Sequence, residues 1–251
     1  MKKEYFLLPL LVILIWQGFS SLQLIPSYKL PSPSEIILGF KDLLVVGVPP
    51  GNLLHNHILY SLYRVALGYA IAAFLAIPLG LLMGWSPVLL RTTRSLFEVV
   101  RPIPPLAWIP IAILWFGIGI KSAAFIIFLG AFFPILLNTI SGVLSIQPIL
   151  LEAARTLHAK EKDIFLKVLL PGAVPSIFVG MRIGIGIGWM TLVAAEFTGV
   201  KEGYGLGYMI MTARDIQRPD EILAGMLVIG VIGLLIDIGL RTAESKTIKW
   251  Q

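Results

Sequence analysis

The chain has 251 residues, of which 57% are hydrophobic and 14% are charged, and its mean hydropathy is +0.88. Because a soluble domain carries roughly 25% charged residues, apolar stretches of about 20 residues indicate membrane-spanning helices here rather than a buried core. Membrane orientation explains much of the formal net charge of +6, so this charge does not indicate nucleic-acid binding, and the absence of cysteine excludes disulfides, thiolate catalysis and cysteine metal sites. We therefore predict an all-α integral membrane protein, with a single transmembrane domain over residues 1–251.

The first 57 residues are predicted to hold one span and an outer segment. Lys2 and Lys3 precede an apolar run, which we assign to a retained first helix over residues 5–25 because no small-residue cleavage site follows it. In the outer segment, residues 26–57, the run Ser32-Pro33-Ser34-Glu35 is a capping box with proline at the first helical position, and an apolar stripe follows it. This pattern predicts an amphipathic helix on the outer surface of the membrane.

Five more spans follow, which makes about six transmembrane helices in all. They cover residues 61–85, 105–118, 122–144, 174–195 and 221–240, so that residues 58–145 hold helices two to four and residues 174–241 hold helices five and six. A basic loop with Arg91, Arg94 and Arg101 is expected before the third span, whose proline-rich entry needs neighbouring helices or water to satisfy the freed carbonyls.

The distribution of basic residues predicts the orientation of these spans. Six spans place both termini on one side of the membrane, and Lys and Arg are twice as frequent in the loops of that side as on the other. This excess predicts cytoplasmic termini, with residues 242–251 as a cytoplasmic tail. The basic residues assigned to the outer side are Lys29, Lys41, Lys121, Lys201, Arg214 and Arg218.

Residues 146–173, between the fourth and fifth spans, form the longest charged, helix-forming island of the chain. Apolar residues recur there at helical spacing in two short runs: Leu150, Ala154 and Leu157, then Ile164, Val168 and Leu169. We predict two short amphipathic helices, the second of which ends at Pro171. Two such helices lying flat at a membrane face, with their charges outward, form a docking surface rather than a channel.

The island resembles the EAA loop of bacterial ABC-importer permeases. The matching residues are Glu152, Ala153, Ala154, Val168, Leu170 and Pro171. His158 stands where the family has glycine, at the turn between the two short helices, where a left-handed backbone is expected and costs a non-glycine residue roughly 1–2 kcal/mol. Further stretches resemble the nitrate/sulfonate/taurine branch of these permeases: residues 30–33, 61–65, 78–84, 101–105, 108–110, 115–117 and 193–196.

The resemblance implies a type I importer permease in the cell (inner) membrane, working by alternating access. Its partners would be cytoplasmic ABC ATPase subunits, an extracytoplasmic substrate-binding protein, a second permease subunit in a homodimer, and membrane lipid, with no nucleic acid. The chain itself would bind no cofactor, since ATP and Mg²⁺ belong to the ATPase. The substrate class would be nitrate, alkanesulfonate, taurine or bicarbonate, although more distant members carry vitamin precursors. The implied ATPase-coupling residues are Glu152, Ala153, Ala154, Arg155, Leu157, His158, Leu170 and Pro171.

Three glycines and two ionisable residues near the fifth span are candidates for the translocation path. Gly180, Gly184 and Gly188 share one helix face, which lets another backbone approach closely, either along the path or subunit seam or in packing within one subunit. Arg182 and Glu196 are functional candidates because they are ionisable at membrane depth, and snorkelling to the interface or structural pairing is the alternative. Arg64 and Asp237 have the same two interpretations.

Other motifs are interpreted structurally. His55 and His57 lack the acidic neighbours that a metal site needs and are expected at a solvated helix start, and the glycine-rich run 203–208 is expected to form a bent outer loop. No phosphate-binding loop or hydrolase signature occurs, so no enzymatic activity is predicted. An ATPase-independent transporter would need internal repeats or paired acidic residues at the membrane midplane, and neither is evident in the sequence. An intramembrane enzyme would need a nucleophile or a metal cluster at membrane depth, and neither of these is evident.

Overall fold

The computed structural model describes residues 4–22, 24, 26–197, 200 and 202–247, and the regular secondary structure of this part of the chain is entirely helical. Of the basic residues used to predict the topology, Lys2, Lys3, Lys201 and Lys249 lie outside the described residues. The helices are α1 (Glu4–Ser21), α2 (Pro33–Val45), α3 (Leu54–Trp85), α4 (Pro87–Val100), α5 (Ile109–Phe116), α6 (Ile120–Leu144), α7 (Pro148–Thr156), α8 (Glu161–Ile164), α9 (Leu170–Phe197), α10 (Leu206–Asp215) and α11 (Pro219–Thr247). A 3₁₀ turn, Pro105–Trp108, precedes α5, and a π turn, Phe165–Leu169, joins α8 to α9.

The predicted fold class, an all-helical membrane protein, is confirmed. Four of the described helices are long and apolar enough to cross a membrane, namely α3, α6, the helix running from Glu161 to Phe197, and α11. Helix α4 and the segment Pro105–Phe116 form a pair bent by 79°, which makes a fifth candidate span. The apolar part of α1, Leu7–Ser21, is shorter than these helices.

The basic loop predicted after the second span is wrong, because Arg91 and Arg94 lie in α4. The side chain of Ser86 accepts a hydrogen bond from the Leu89 N–H, and Pro87 occupies the first turn, so α4 begins with a serine cap and a proline, as the amphipathic helix of the outer segment was predicted to do. Arg94 then pairs with Glu98 one turn later, at 2.7 Å.

The capping box predicted at Ser32 is confirmed at the start of α2. The Ser32 side chain accepts from the Glu35 N–H, and the Glu35 carboxylate accepts from the Ser32 N–H at 2.6 Å. At Gly39, a Cβ would lie 2.8 Å from the carbonyl carbon of Asp220, so glycine lets α2 approach the start of α11. The position of α2 on the outer membrane surface stays a prediction.

The chain divides into two compact units, residues 1–62 with 196–232 and residues 63–195 with 233–251. In the second unit, α6 is the most buried of the candidate spans. It packs on a stripe of small residues that recurs every four residues along α3: Gly68, Ala72, Ala76, Gly80 and Gly84. A Cβ at Gly68, Gly80 or Gly84 would lie 2.5–2.7 Å from atoms of α6. Small residues therefore bring these two backbones together.

The coupling surface and the residues near α9

Helix α7 is exposed. We use the name coupling surface for α7, α8 and the turn between them. No residue of α7 is buried. Leu150 is 52% exposed and Leu157 is 82% exposed, so the apolar stripe predicted for this helix is open. Exposed apolar side chains rimmed by charges are typical of a surface that binds another protein.

The turn after α7 has the left-handed residue that the sequence predicts. His158 has φ of 57°, and its N–H donates to the Arg155 carbonyl at 2.9 Å. The next N–H, that of Ala159, donates to the Ala154 carbonyl at 3.1 Å. This pair of bonds is the Schellman arrangement, in which glycine is preferred at the left-handed position because it has no Cβ.

The charged residues of the coupling surface join its two helices. Arg155 Nε lies 3.2 Å from Glu161 Oε1, so one ion pair bridges α7 and α8. Glu152 and Ala153 are exposed, and Ala154 is half-buried. Glu152 forms no ion pair with any residue that the structure describes.

Pro171 does not end the second short helix, contrary to the prediction. The Leu170 N–H donates to the Phe165 carbonyl, five residues back, and α9 begins at Leu170. Proline normally conflicts with the carbonyl four residues earlier, and the wider π turn directly before Pro171 accommodates it. The helix thus runs on from α8 into α9, and Leu169 packs in a core cluster with Val143.

The glycine face of α9 packs on α6. A Cβ at Gly180 would lie 2.7 Å from Asn138 Cβ, and one at Gly184 would lie 3.0 Å from the Ala131 carbonyl oxygen. At Gly188 the nearest atom would be Ile127 Cγ2, at 3.2 Å. Of the two interpretations left open by the sequence, this geometry supports packing within one subunit.

Arg182 has an acidic partner that the sequence analysis did not identify. Its guanidinium forms an ion pair with Glu244 of α11, and both side chains are about two-thirds buried or more. Asp237 pairs with Arg241 at 2.8 Å. Arg64 is fully buried. Structural pairing therefore accounts for Arg182 and Asp237.

Glu196 is fully buried, and its carboxylate caps the N-terminus of α10. Its carboxylate accepts hydrogen bonds from Ser61 Oγ at 2.8 Å and from the Gly207 N–H at 2.8 Å. Ser61 Oγ in turn accepts from the Leu206 N–H. A carboxylate is favourable at this position because the first N–H groups of a helix carry partial positive charge. Gly205 is required there, since a Cβ would lie 2.7 Å from the Glu196 carboxyl carbon.

His57 is buried, so a solvated helix start is the wrong interpretation for it. Its Nδ1 accepts from the Gly205 N–H at 3.0 Å, and its Nε2 faces the Asn52 carbonyl at 3.2 Å. The Tyr204 ring meets the His57 ring edge-on and stacks on Tyr60. The glycine-rich run is a loop only to Gly205, since α10 starts at Leu206.

The second unit contains an open cavity of about 410 Å³ between α6, α9 and the turn Pro105–Trp108. Arg101, Trp108 and Asn138 contribute its polar groups, and Ile183 and Ile187 of α9 form part of its wall. From the sequence, Arg101 is predicted in a loop and Trp108 belongs only to a stretch that resembles the family, while Asn138, Ile183 and Ile187 carry no signal that predicts a cavity. Within the described part of the chain, no group of His, Asp and Glu residues could hold a metal ion.

Comparison with known proteins identifies the family. The family described as "binding-protein-dependent transport system inner membrane component" matches residues 76–243. The taurine transport system permease protein of Escherichia coli is 37% identical over 95% of this chain and 86% of its own length. The bicarbonate transport system permease protein of Synechocystis is 37% identical over 91% of this chain and 82% of its own length.

A solved structure of the inward-facing MetNI methionine ABC transporter has the same fold, with a TM-score of 0.67 at 21% identity over 78% of this chain and 96% of that one. Family membership decides against the two alternative classes, an ATPase-independent transporter and an intramembrane enzyme. The chain belongs to the inner-membrane permeases of binding-protein-dependent ABC transporters, as a non-catalytic, multi-pass component that works with an ATPase and a binding protein.

Proposed function

We propose that the chain, as a homodimer, forms the translocation path for a small anion or organic solute of the nitrate, alkanesulfonate, taurine or bicarbonate class. Support for this class comes from relatives that carry these transport names and align with 70–98% of the chain. A substrate-binding protein would deliver this solute at the outer face, and two ATPase subunits would bind at the cytoplasmic face.

The observation that carries the coupling role is the continuity of the helix from Glu161 to Phe197, directly after the exposed helix α7. ATP binding would close the ATPase dimer and shift the coupling surface. Because α8 continues into α9 and Leu169 anchors the junction in the core, such a shift would be transmitted along α9. The ATPase then acts by favouring one of two packed arrangements of the spans.

The proposal includes an orientation of the chain in the membrane. The coupling surface and both termini would be cytoplasmic, and α2, within residues 26–57, would lie outside. The excess of Lys and Arg on the proposed cytoplasmic side supports this orientation.

A substitution at Leu157 tests the coupling role. Because this side chain is 82% exposed, Leu157→Glu should leave the fold unchanged. It would place a charge in an apolar contact and weaken ATPase binding by about ten-fold, the equivalent of about 1.4 kcal/mol. The measurements are the ATPase recovered with the purified permease and the ATP hydrolysis stimulated by the binding protein.

Leu157→Met is the matched control, since it keeps an apolar side chain of similar volume. It should bind the ATPase as the unsubstituted chain does. Normal recovery of the ATPase with Leu157→Glu would mean that α7 takes no part in docking.

A further inference from the structure

The cavity between α6 and α9 has one charged group among the described residues that line it, the guanidinium of Arg101. Arg101 has no ion pair or side-chain hydrogen bond to any described residue, and the nearby carboxylate of Glu98 is already bound by Arg94 at 2.7 Å. A cation beside a mostly apolar cavity, without a carboxylate of its own, is suited to an anionic ligand.

Two further donors lie around the same space. The Trp108 indole packs edge-on against Phe125, and within the described part of the chain its N–H has no hydrogen-bond acceptor. Asn138 Nδ2 donates to the Pro134 carbonyl at 2.8 Å, which uses one of its two N–H groups. The residues that line the cavity therefore include three with hydrogen-bond donors: Arg101, Trp108 and Asn138.

The rest of the wall is apolar, and the packing of α9 explains why. Because Gly180, Gly184 and Gly188 face α6, Ile183 and Ile187 between them are left partly exposed at the cavity. Neither nitrate nor bicarbonate has an alkyl group that would use such a wall. An organic anion with a short alkyl chain would use both the wall and the guanidinium.

We propose that this cavity binds the transported solute as a short-chain organic oxyanion, such as an alkanesulfonate, with the oxyanion group on Arg101 and the alkyl chain against Trp108, Ile183 and Ile187. The proposal rests on the proposed function, because it takes the ligand of this site to be the substrate of the importer. Within the substrate class of the proposed function, it favours sulfonates over nitrate and bicarbonate.

The test uses the purified permease in nanodiscs of uncharged (zwitterionic) lipid, with butane-1-sulfonate and nitrate as probes. Saturation-transfer NMR detects weak binding of butane-1-sulfonate, and nitrate is added as a competitor. Arg101→Gln should weaken sulfonate binding by about ten-fold or more, the loss expected for a charge-assisted contact, whereas Arg101→Lys should lose less. Arg91→Gln is the matched control, because Arg91 lies in α4, does not line the cavity and donates to the Pro87 carbonyl instead of pairing with Glu98; it should not change binding.

The expected result for nitrate is weaker competition than that of an alkanesulfonate at the same concentration. Absence of saturation transfer in the unsubstituted chain, or unchanged binding by Arg101→Gln, would overturn the proposal. So would equal binding of nitrate and butane-1-sulfonate, since the apolar wall would then contribute nothing.

A second arm distinguishes the solute from an anionic lipid headgroup. The binding is repeated in nanodiscs containing phosphatidylglycerol, and retained lipid is counted by native mass spectrometry. If Arg101→Gln releases a bound phosphatidylglycerol but leaves sulfonate binding unchanged, the site is a lipid site and the proposal fails. The ATPase recovery described for Leu157 is measured on the same preparations, so that a failure of the importer function is recognised separately.

Discussion

His158 is held in a left-handed conformation by two backbone hydrogen bonds at the end of α7. Its φ of 57° is a conformation in which L-residues with a Cβ lose roughly 1–2 kcal/mol, while glycine loses more chain entropy on folding. These two effects oppose one another. We therefore expect His158→Gly to unfold at the same temperature or slightly higher, with a change of no more than about 1 kcal/mol, and to retain coupling.

The control for this prediction is His158→Val, since a β-branched side chain is strongly disfavoured at positive φ. It should lower the unfolding temperature of the purified complex and reduce the ATP hydrolysis stimulated by the binding protein. If His158→Gly loses coupling at unchanged stability, the imidazole itself contacts the ATPase, and the interpretation as a turn residue is wrong.

His158 and His57 differ in how well their structural roles can be predicted from the sequence. The conformation of His158 could be predicted because a turn is a local feature, set by residues within one helix end. The burial of His57 could not, because its partner Gly205 lies 148 residues away along the chain. Ser61 and Glu196 lie 135 residues apart, and their pairing could not be predicted for the same reason.

At the scale of elements, we expect transport to be sensitive to added side-chain volume where α9 packs on α6. A leucine at Gly184 would meet the Ala131 carbonyl oxygen and the Ile135 side chain, both 3.0 Å from the added Cβ. Overpacking of this kind costs about 1–3 kcal/mol, enough to bias a two-state equilibrium. We expect Gly184→Leu to assemble with the ATPase, to transport poorly in vesicles, and to hydrolyse ATP without response to the binding protein.

Gly186→Leu is a matched control on the same helix, because no atom outside the adjoining stretch of α9 lies within 4 Å of a Cβ at that position. It should transport at the normal rate. Equal transport by the two variants would mean that the α6–α9 seam does not move during the cycle.

The contacts of a helix can be predicted from the sequence where a single residue type recurs at helical spacing. The glycines of α9 stood out because three of the same residue type recur every four positions. The equivalent stripe of α3 mixes glycine with Ala72 and Ala76, and only the close approach of α6 shows its purpose. Helix α4 is hard to predict because its arginines are also typical of a basic loop, although its serine cap indicates a helix. The continuation of α8 into α9 is hard to predict because a π turn has no sequence signal of its own.

For the whole molecule, the number of crossings decides which surfaces the ATPase can reach. Two candidate spans, α9 and α11, separate the coupling surface from the C-terminal end of α11. If both cross the membrane, these two regions lie on the same side whatever the N-terminal part does. Whether Lys41 of α2 is on the opposite side depends on the bent pair of α4 and Pro105–Phe116. If that pair crosses the membrane, three crossings separate Lys41 from the coupling surface; if it is re-entrant, two do.

The absence of cysteine makes this question directly measurable. Single substitutions Lys41→Cys, Lys160→Cys and Lys246→Cys each give one thiol, and a membrane-impermeant maleimide is applied to intact cells and to permeabilised cells. We expect Lys41→Cys to be labelled in intact cells, and the other two only after permeabilisation, because the charge distribution places them in the cytoplasm. Labelling of Lys41→Cys and Lys160→Cys from the same side would show that the bent pair enters and leaves the membrane on one face. If both are labelled only after permeabilisation, the outer position proposed for α2 is wrong and the cytoplasmic position of the coupling surface stands. If both are labelled in intact cells, the cytoplasmic position proposed for the coupling surface is wrong.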